Sequence, residues 1–290
     1  MPGRRYYSWF VVPGDAVLLT LFVVPLVVVI VMSFGTIDFV GRPHPGTSLS
    51  NYQQVFQPYF VPVFLQTLWY AALTTAICLV LGYPLAYLAT RFAGRFGRVV
   101  LAAIILTWLV DYLVRIYAWT ALMDDNGLIN SLLGDLGLGH VHLIPTTGAV
   151  IVGLVYGYFP LMVLPIYASL SELDPALIAA GKDLYGSPRQ TFWHVTVPAT
   201  MPGILGGIAL CFLPALGDFA TAQFLGGPNQ AMIGNLISGQ FSDGGSFTFG
   251  AALTVVLLAM LMIGIAVAAF VTRRITRQRG RTPSLAGAVG

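Results

Sequence analysis

Six stretches of the chain are apolar over about 20 residues each, the length that carries an α-helix across the hydrocarbon core of a bilayer. They run over residues 11–33, 63–90, 99–123, 148–170, 202–225 and 249–271, and the polar residues cluster between them. This pattern predicts an all-α membrane protein with six transmembrane helices. Asp111 and Arg115 interrupt the third stretch, and Pro160 and Pro165 the fourth. Such breaks are tolerated where a helix packs on its neighbours or lines a cavity.

Orientation follows from the basic residues, which favour the inner side of a membrane. Arg4 and Arg5 precede the first stretch; Arg91, Arg95 and Arg98 separate the second and third; Lys182 and Arg189 separate the fourth and fifth. Arg273, Arg274, Arg277, Arg279 and Arg281 follow the sixth. Twelve of the 14 Lys and Arg thus fall on one side of a six-span chain, leaving Arg42 in an outer loop and Arg115 within a span. A wrong span count would scatter them. Both ends are therefore expected on the cytoplasmic side: an N-terminal segment 1–10, a helical domain 11–275 and a tail 276–290. The first stretch runs on without a small-residue cleavage site, so it reads as a retained helix rather than a signal peptide. Asp38, Asp124, Asp125, Asp135 and Asp243 fall in outer loops, and Asp15 lies near the inner end of the first helix.

Composition agrees. Of the residues, 57% are hydrophobic and 9% are charged, against about 25% charged in soluble domains. The net charge of +3 belongs to the inner loops and carries no implication of nucleic acid. Cys78 and Cys211 lie in apolar runs and read as small core residues. The four histidines form no HExxH, and there is no metal-ligand spacing, phosphate loop or Ser/His/Asp arrangement. The chain itself is expected to be no enzyme and to hold no metal or cofactor.

The inner segment between the fourth and fifth stretches, 171–201, is longer than a turn requires. Asp174-Pro175 starts a helix, with proline at its first position. Residues 176–184 put good helix formers on one side and Lys182 with Asp183 on the other. Gly186-Ser187-Pro188 breaks the chain, and residues 190–197 form a second short helix ended by Pro198. Two short helices make either an interfacial pair lying on lipid or a docking element for a cytoplasmic partner.

Residues 173–204, LDPALIAAGKDLYGSPRQTFWHVTVPATMPGI, resemble the coupling loop of binding-protein-dependent ABC importer permeases. Registered on Pro198, Ala179, Ala180 and Gly181 take the family's EAA positions. Tyr185 stands where the family has glycine, with Gly186 one residue later. Asp183, Ser187, Pro188 and Pro198 match common family usage. LVLGYPLAY (79–87), LVRIYAW (113–119), NGLIN (126–130) and ALGDFATAQFLGGPNQAMIGNLISGQF (215–241) are similar to the spermidine/putrescine-type permeases. Iron, opine, phosphonate and thiamine permeases share much of the same pattern. The resemblance implies a type I ABC importer permease fold with a cytoplasmic coupling helix, in a bacterial inner membrane. It implies an ATP-binding cassette ATPase dimer carrying ATP and Mg, a second permease subunit forming a heterodimer, and a periplasmic or extracellular substrate-binding protein. Ala179, Ala180, Gly181, Lys182, Asp183, Tyr185, Gly186, Ser187 and Pro198 would form the ATPase coupling loop.

Charge inside the membrane is costly and usually faces the bundle interior or an aqueous path. Asp111 and Arg115 are spaced i,i+4 and are expected to pair, with Arg115 as a structural partner. Asp218 lies in the outer half of the fifth helix with no basic residue nearby in sequence. For a polyamine, Asp111 and Asp218 would offset charge along the path, and Trp108, Tyr117 and Trp119 could add cation–π attraction. The alternative is plain packing and interface anchoring. The Gly-rich segment 226–235 is a turn and could form an outer gate lip. An ion-coupled secondary carrier is the rival class, but it would leave the structured inner loop without a purpose.

Overall fold

The structure is a computed structural model describing residues 6–91, 94–242 and 245–279. Arg4, Arg5, Arg281 and Asp243 lie outside the described residues, as do the side chains of Asp15, Arg95, Arg273, Arg274, Arg277 and Arg279.

The described residues are mostly helical. Helix α1 (Tyr6–Ser33) leads into a hairpin of β1 (Thr36–Ile37) and β2 (Pro43–His44), then α2 (Ser50–Val55). Next come α3 (Val61–Arg91), α4 (Gly94–Leu109), α5 (Tyr112–Met123), α6 (Leu128–Asp135) and α7 (Thr147–Ser171). The expected coupling segment holds α8 (Pro175–Tyr185), α9 (Pro188–Thr191), a π-turn (Phe192–Thr196) and α10 (Val197–Ala199). The rest comprises α11 (Met201–Leu216), α12 (Ala220–Leu225), α13 (Ile233–Phe241) and α14 (Phe247–Arg279).

Three stretches, Val61–Arg91, Thr147–Ser171 and Phe247–Val267, are single helices long and apolar enough to cross a membrane. The third and fifth expected spans are not continuous. Helix α4 gives way to α5–α6 with a bend of 96°, and a bend of 63° separates Pro188–Ala199 from α11. Beyond that second bend, α11 stops at Leu216 and the helix restarts at Ala220. The described part of α1, Val17–Ser33, is a shorter apolar helix.

Two compact units divide the chain. One takes the residues up to Val63 together with Ile233–Ala259. There the Asn51 amide donates to the carbonyls of Ser33 and Gly35 at 3.0 and 2.9 Å, closing the end of α1 onto α2. Ser33 and Tyr52 share a hydroxyl hydrogen bond of 2.7 Å. The hairpin turn is held by Asp38, which accepts from the amides of Val40 and Arg42 at 2.9 and 2.8 Å and meets His44 at 3.2 Å. The Arg42 amide, above all, holds the Asp38 carboxyl below the usual carboxylate range, with His44 and the Val40 amide helping.

The other unit takes Phe64–Met232 and the chain from Met260. Its core runs along α3, α7 and α11 through Cys78, Met162, Val163, Ile166 and Cys211, all fully buried. Both cysteines are thus core residues, as expected. Lipid is as apolar as these side chains, so association in a bilayer rests on close packing and small contact residues rather than on expulsion of water. Gly203 supplies such a contact. A Cβ there would stand 2.5 Å from the Pro165 carbonyl oxygen and 2.4 Å from Ser169 Oγ. The first neighbour is backbone and cannot swing away. Gly203→Leu is therefore expected to force α7 and α11 apart and cost at least ~1–3 kcal/mol, the usual range for overpacking. A lowered melting temperature in detergent checks this; an unchanged one refutes the contact.

Candidate functional site

The site is built where two helices break. Helix α4 climbs 16 residues, about 24 Å at ~1.5 Å per residue, before stopping at Leu109. Asp111 starts the next helix: its carboxylate accepts from the amides of Leu113 and Val114 at 3.0 and 3.3 Å. An aspartate before an apolar helix satisfies amides that have no intrahelical partner. Helix α11 also climbs 16 residues and stops where Pro214 and Gly217 weaken it. Asp218 follows in the same role, accepting from the Thr221 amide at 2.9 Å. The two breaks therefore place an aspartate at the same height along their respective helices.

Their environments differ sharply. Asp111 is exposed, whereas Asp218 is 4% exposed. The Tyr158 hydroxyl on α7 donates to Asp218 Oδ2 at 2.8 Å, and the Thr221 hydroxyl lies 3.0 Å from the same oxygen. The Tyr112 hydroxyl, at the first residue of α5, also donates to it. Tyr112 and Thr221 meet at 2.6 Å. Asp218 thus ties α5, α7 and α12 through neutral hydroxyls. Gly157 makes room for the Tyr112 ring, since a Cβ there would stand 3.3 Å from the ring carbon Cε2. Among the described residues no cation pairs with Asp218. The sequence pointed to Asp218 as a path residue without a partner. The structure instead gives it a closed hydroxyl cage in this conformation.

Arg115 is a second correction. Its expected ion pair with Asp111 does not form, because the helix breaks just before Asp111 and the Asp111 carboxylate is turned to cap α5. Arg115 is 9% exposed, and its Nε has no hydrogen-bond partner. The guanidinium lies over the Tyr112 ring, 5.4 Å from its centre. Arg115 also lines a hollow of about 310 Å³ with Trp119 and Tyr156.

The expected aromatic residues are not gathered about one point. Trp108 is exposed on α4. Tyr117 packs on Phe224 at 4.9 Å and lines a separate hollow with Asp124 and Asn126. Trp119 meets Tyr156 edge-on at 5.3 Å. Tyr158 and Thr221, which complete the cage, were not singled out from the sequence. The signal available was local: Asp218 and Thr221 stand three apart after Pro214 and Gly217, a helix-restart pattern.

The expected coupling segment follows its sequence closely up to Pro188. Asp174 caps α8 through the Ala176 amide, Pro175 is its first residue, and Gly186 ends it at φ +66°. Ser187 caps the next helix through the Gln190 amide at 3.3 Å. Gly181 is buried against that helix: a Cβ would stand 2.9 Å from Val195 Cγ2 and 3.0 Å from Thr191 Cγ2. Ala179, Ala180, Lys182 and Asp183 are exposed around it, and Ser187 is half-buried. Tyr185 stacks on His194 at 5.0 Å. Pro198 does not end the second helix as expected. The backbone widens into a π-turn over Phe192–Thr196, helix resumes through Ala199, and the bend into α11 falls at Thr200. A proline clashes with the carbonyl four residues back, and the wider turn removes that clash. The Gly-rich segment after α12 is a turn, with Gln230 accepting from the Gly227 amide at 3.1 Å.

Residues 78–277 match the family described as binding-protein-dependent transport system inner membrane component. The spermidine/putrescine transport system permease protein PotB of Escherichia coli (strain K12) is 36% identical over 252 residues, covering 84% of this chain and 92% of that protein. PotB of Haemophilus influenzae is 34% identical over 247 residues, covering 82% and 85%. A bacterial ABC transporter involved in the import of the acidic polysaccharide alginate superposes with a TM-score of 0.76 at 17% identity, covering 94% of this chain and 97% of that one. The MetNI methionine ABC transporter superposes with a TM-score of 0.59 at 17% identity, covering 74% and 95%. With the type I ABC importer permease fold, this chain belongs to the family of binding-protein-dependent inner-membrane transport components.

Proposed function

We propose that the chain is the permease subunit of an ATP-driven importer for polyamines, and that Asp218 is the counter-charge met by a substrate amine. The observation carrying this is the buried Asp218 carboxylate, held by neutral hydroxyls rather than by a resident cation. A hydroxyl can release a carboxylate to an incoming amine without leaving an ion unpaired, because it both donates and accepts. An arginine or lysine partner would have filled that role permanently. The polyamine-permease relatives support the same substrate class.

In this reading the chain supplies a path and a mechanical connection, while bond chemistry resides elsewhere. A separate ATPase dimer docks on α8, a second permease completes the membrane pair, and an outer binding protein delivers substrate. Six spans with both ends cytoplasmic follow from the distribution of basic residues. Nucleotide binding moves α8, and the membrane helices re-pack to open the break region outward.

The test is ATP hydrolysis by the assembled importer in lipid nanodiscs. Stimulation is expected only when the binding protein and spermidine or putrescine are both present. Stimulation by another small solute instead would retain the importer and remove the polyamine assignment. Uptake driven by an ion gradient without ATP would favour the carrier class.

A further inference from the structure

Arg115 is the buried charge that the proposed transport path does not use. It is 9% exposed, makes no ion pair among the described residues, and leaves Nε without an acceptor. The guanidinium lies over the face of the Tyr112 ring. A cation over an aromatic face recovers only part of what a guanidinium loses on leaving water. A buried charge of this kind is expected to have a partner.

Asp111 caps α5, and Asp218 is enclosed by hydroxyls beyond the Tyr112 ring. The missing acceptor therefore lies outside this set. Arg115 borders an apolar hollow of about 310 Å³ walled by Val110, Val114, Trp119 and Tyr156. Val110 and Val114 are 46% and 57% exposed, so the hollow is set in an apolar surface. A hydrated inorganic anion would set one oxygen on the guanidinium and most of its remaining shell against Val110, Val114, Ala118 and Leu122. An aspartate or glutamate on an apolar helix would bury its stem against the valines and aromatic rings and its carboxylate against Arg115.

We infer that this hollow receives an acidic side chain from a helix of the second permease subunit, forming an ion pair between subunits inside the membrane. The inference rests on the importer reading above, because that reading supplies the second permease. It adds a specific contact: Arg115 selects the partner by charge, and the Tyr112 ring holds the guanidinium over its face.

The experiment uses the chain co-expressed with its neighbouring permease and ATPase, then reconstituted in nanodiscs. Association of the two permeases is measured for the wild type, Arg115→Lys, Arg115→Gln and Arg115→Glu. Removing one member of a buried ion pair is expected to weaken association by at least about 30-fold in Arg115→Gln. Arg115→Glu should be weaker still, and Arg115→Lys should retain part of the strength. Changing acidic residues of the partner permease to lysine, one at a time, should restore assembly of Arg115→Glu at one position. Normal assembly of Arg115→Glu would overturn the inference. So would equal destabilisation of the isolated chain by Arg115→Gln, which would place the missing acceptor within this subunit. A defect that follows removal of anionic lipid, with no charge swap restoring assembly, would assign the hollow to a lipid headgroup and also overturn it. Failure of the wild-type chains to associate at all would instead sink the two-permease reading.

Discussion

Asp218→Asn is expected to lower polyamine uptake by at least about 30-fold, the loss that follows removal of one partner from a buried charge interaction, while the importer still assembles. Asparagine matches aspartate in shape and is as good a helix cap. Its carbonyl can keep the Thr221 amide bond, its two amide hydrogens can go to the reoriented hydroxyls of Tyr112 and Tyr158, and the Thr221 hydroxyl keeps its bond to Tyr112. The negative charge is what disappears. Asp218→Ala is the contrasting variant. It strands the Thr221 amide and takes from three hydroxyls the acceptor they share, and each buried group left without a partner costs about 1–3 kcal/mol. It should therefore fall in yield and melting temperature, whereas the asparagine variant should not. Uptake of labelled spermidine by cells, alongside the amount of assembled complex in membranes, separates the two. Normal uptake by Asp218→Asn would remove the residue from the path and leave it as the cap and tie seen in the fold.

Removing Ala179–Ser187 is expected to abolish co-purification with the ATPase. The deletion takes most of α8 with its C-terminal turn, and with them the exposed face carrying Ala179, Ala180, Lys182 and Asp183. Gly181→Leu is the gentler version. Its Cβ would press on Val195 and Thr191, both β-branched and stiff, so α8 must shift from the helix it rests on. We expect that variant to retain membrane insertion and lose at least about 10-fold in ATP hydrolysis stimulated by the loaded binding protein, which corresponds to ~1.4 kcal/mol in coupling, within the ~1–3 kcal/mol typical of overpacking. Retained ATPase binding by the deletion would show that docking lies elsewhere, and normal stimulation in Gly181→Leu would show that α8 need not sit tightly on its neighbour.

Much of this architecture was legible because its determinants are local. The start of α8 is written in Asp174-Pro175, its end in Gly186, and the next start in Ser187-Pro188. The broken helices were harder. Hydropathy averages over a window and cannot register a two-residue interruption such as Val110-Asp111. The aspartates were noticed as charges in an apolar run, when their first structural task is to restart a helix. Reading Asp111 as a cap would have removed its pairing with Arg115, since one carboxylate cannot readily turn to both. The hydroxyl cage could not be read at all. Tyr112, Tyr158 and Asp218 come from α5, α7 and the break before α12, and only the fold brings them together. Pro198 misled in the opposite direction: proline usually marks a helix end, but one turn of π-helix let the chain absorb it.

Packed closely at Gly203, α7 and α11 form a pair that would swing as one rod. Helix α7 contains 25 residues, about 37 Å at ~1.5 Å per residue. Only Glu172, Leu173 and Asp174 separate its last residue from α8, and only Thr200 separates α10 from α11. Both ends of the coupling segment are thus fixed to the same rod by short joints with almost no slack. Tilting the rod by about 10° about its cytoplasmic end would carry its far end some 6 Å, a little more than the ~5.4 Å rise of one helical turn. If the ATPase docks on α8 as proposed, a small swing there would reach the far end of this rod.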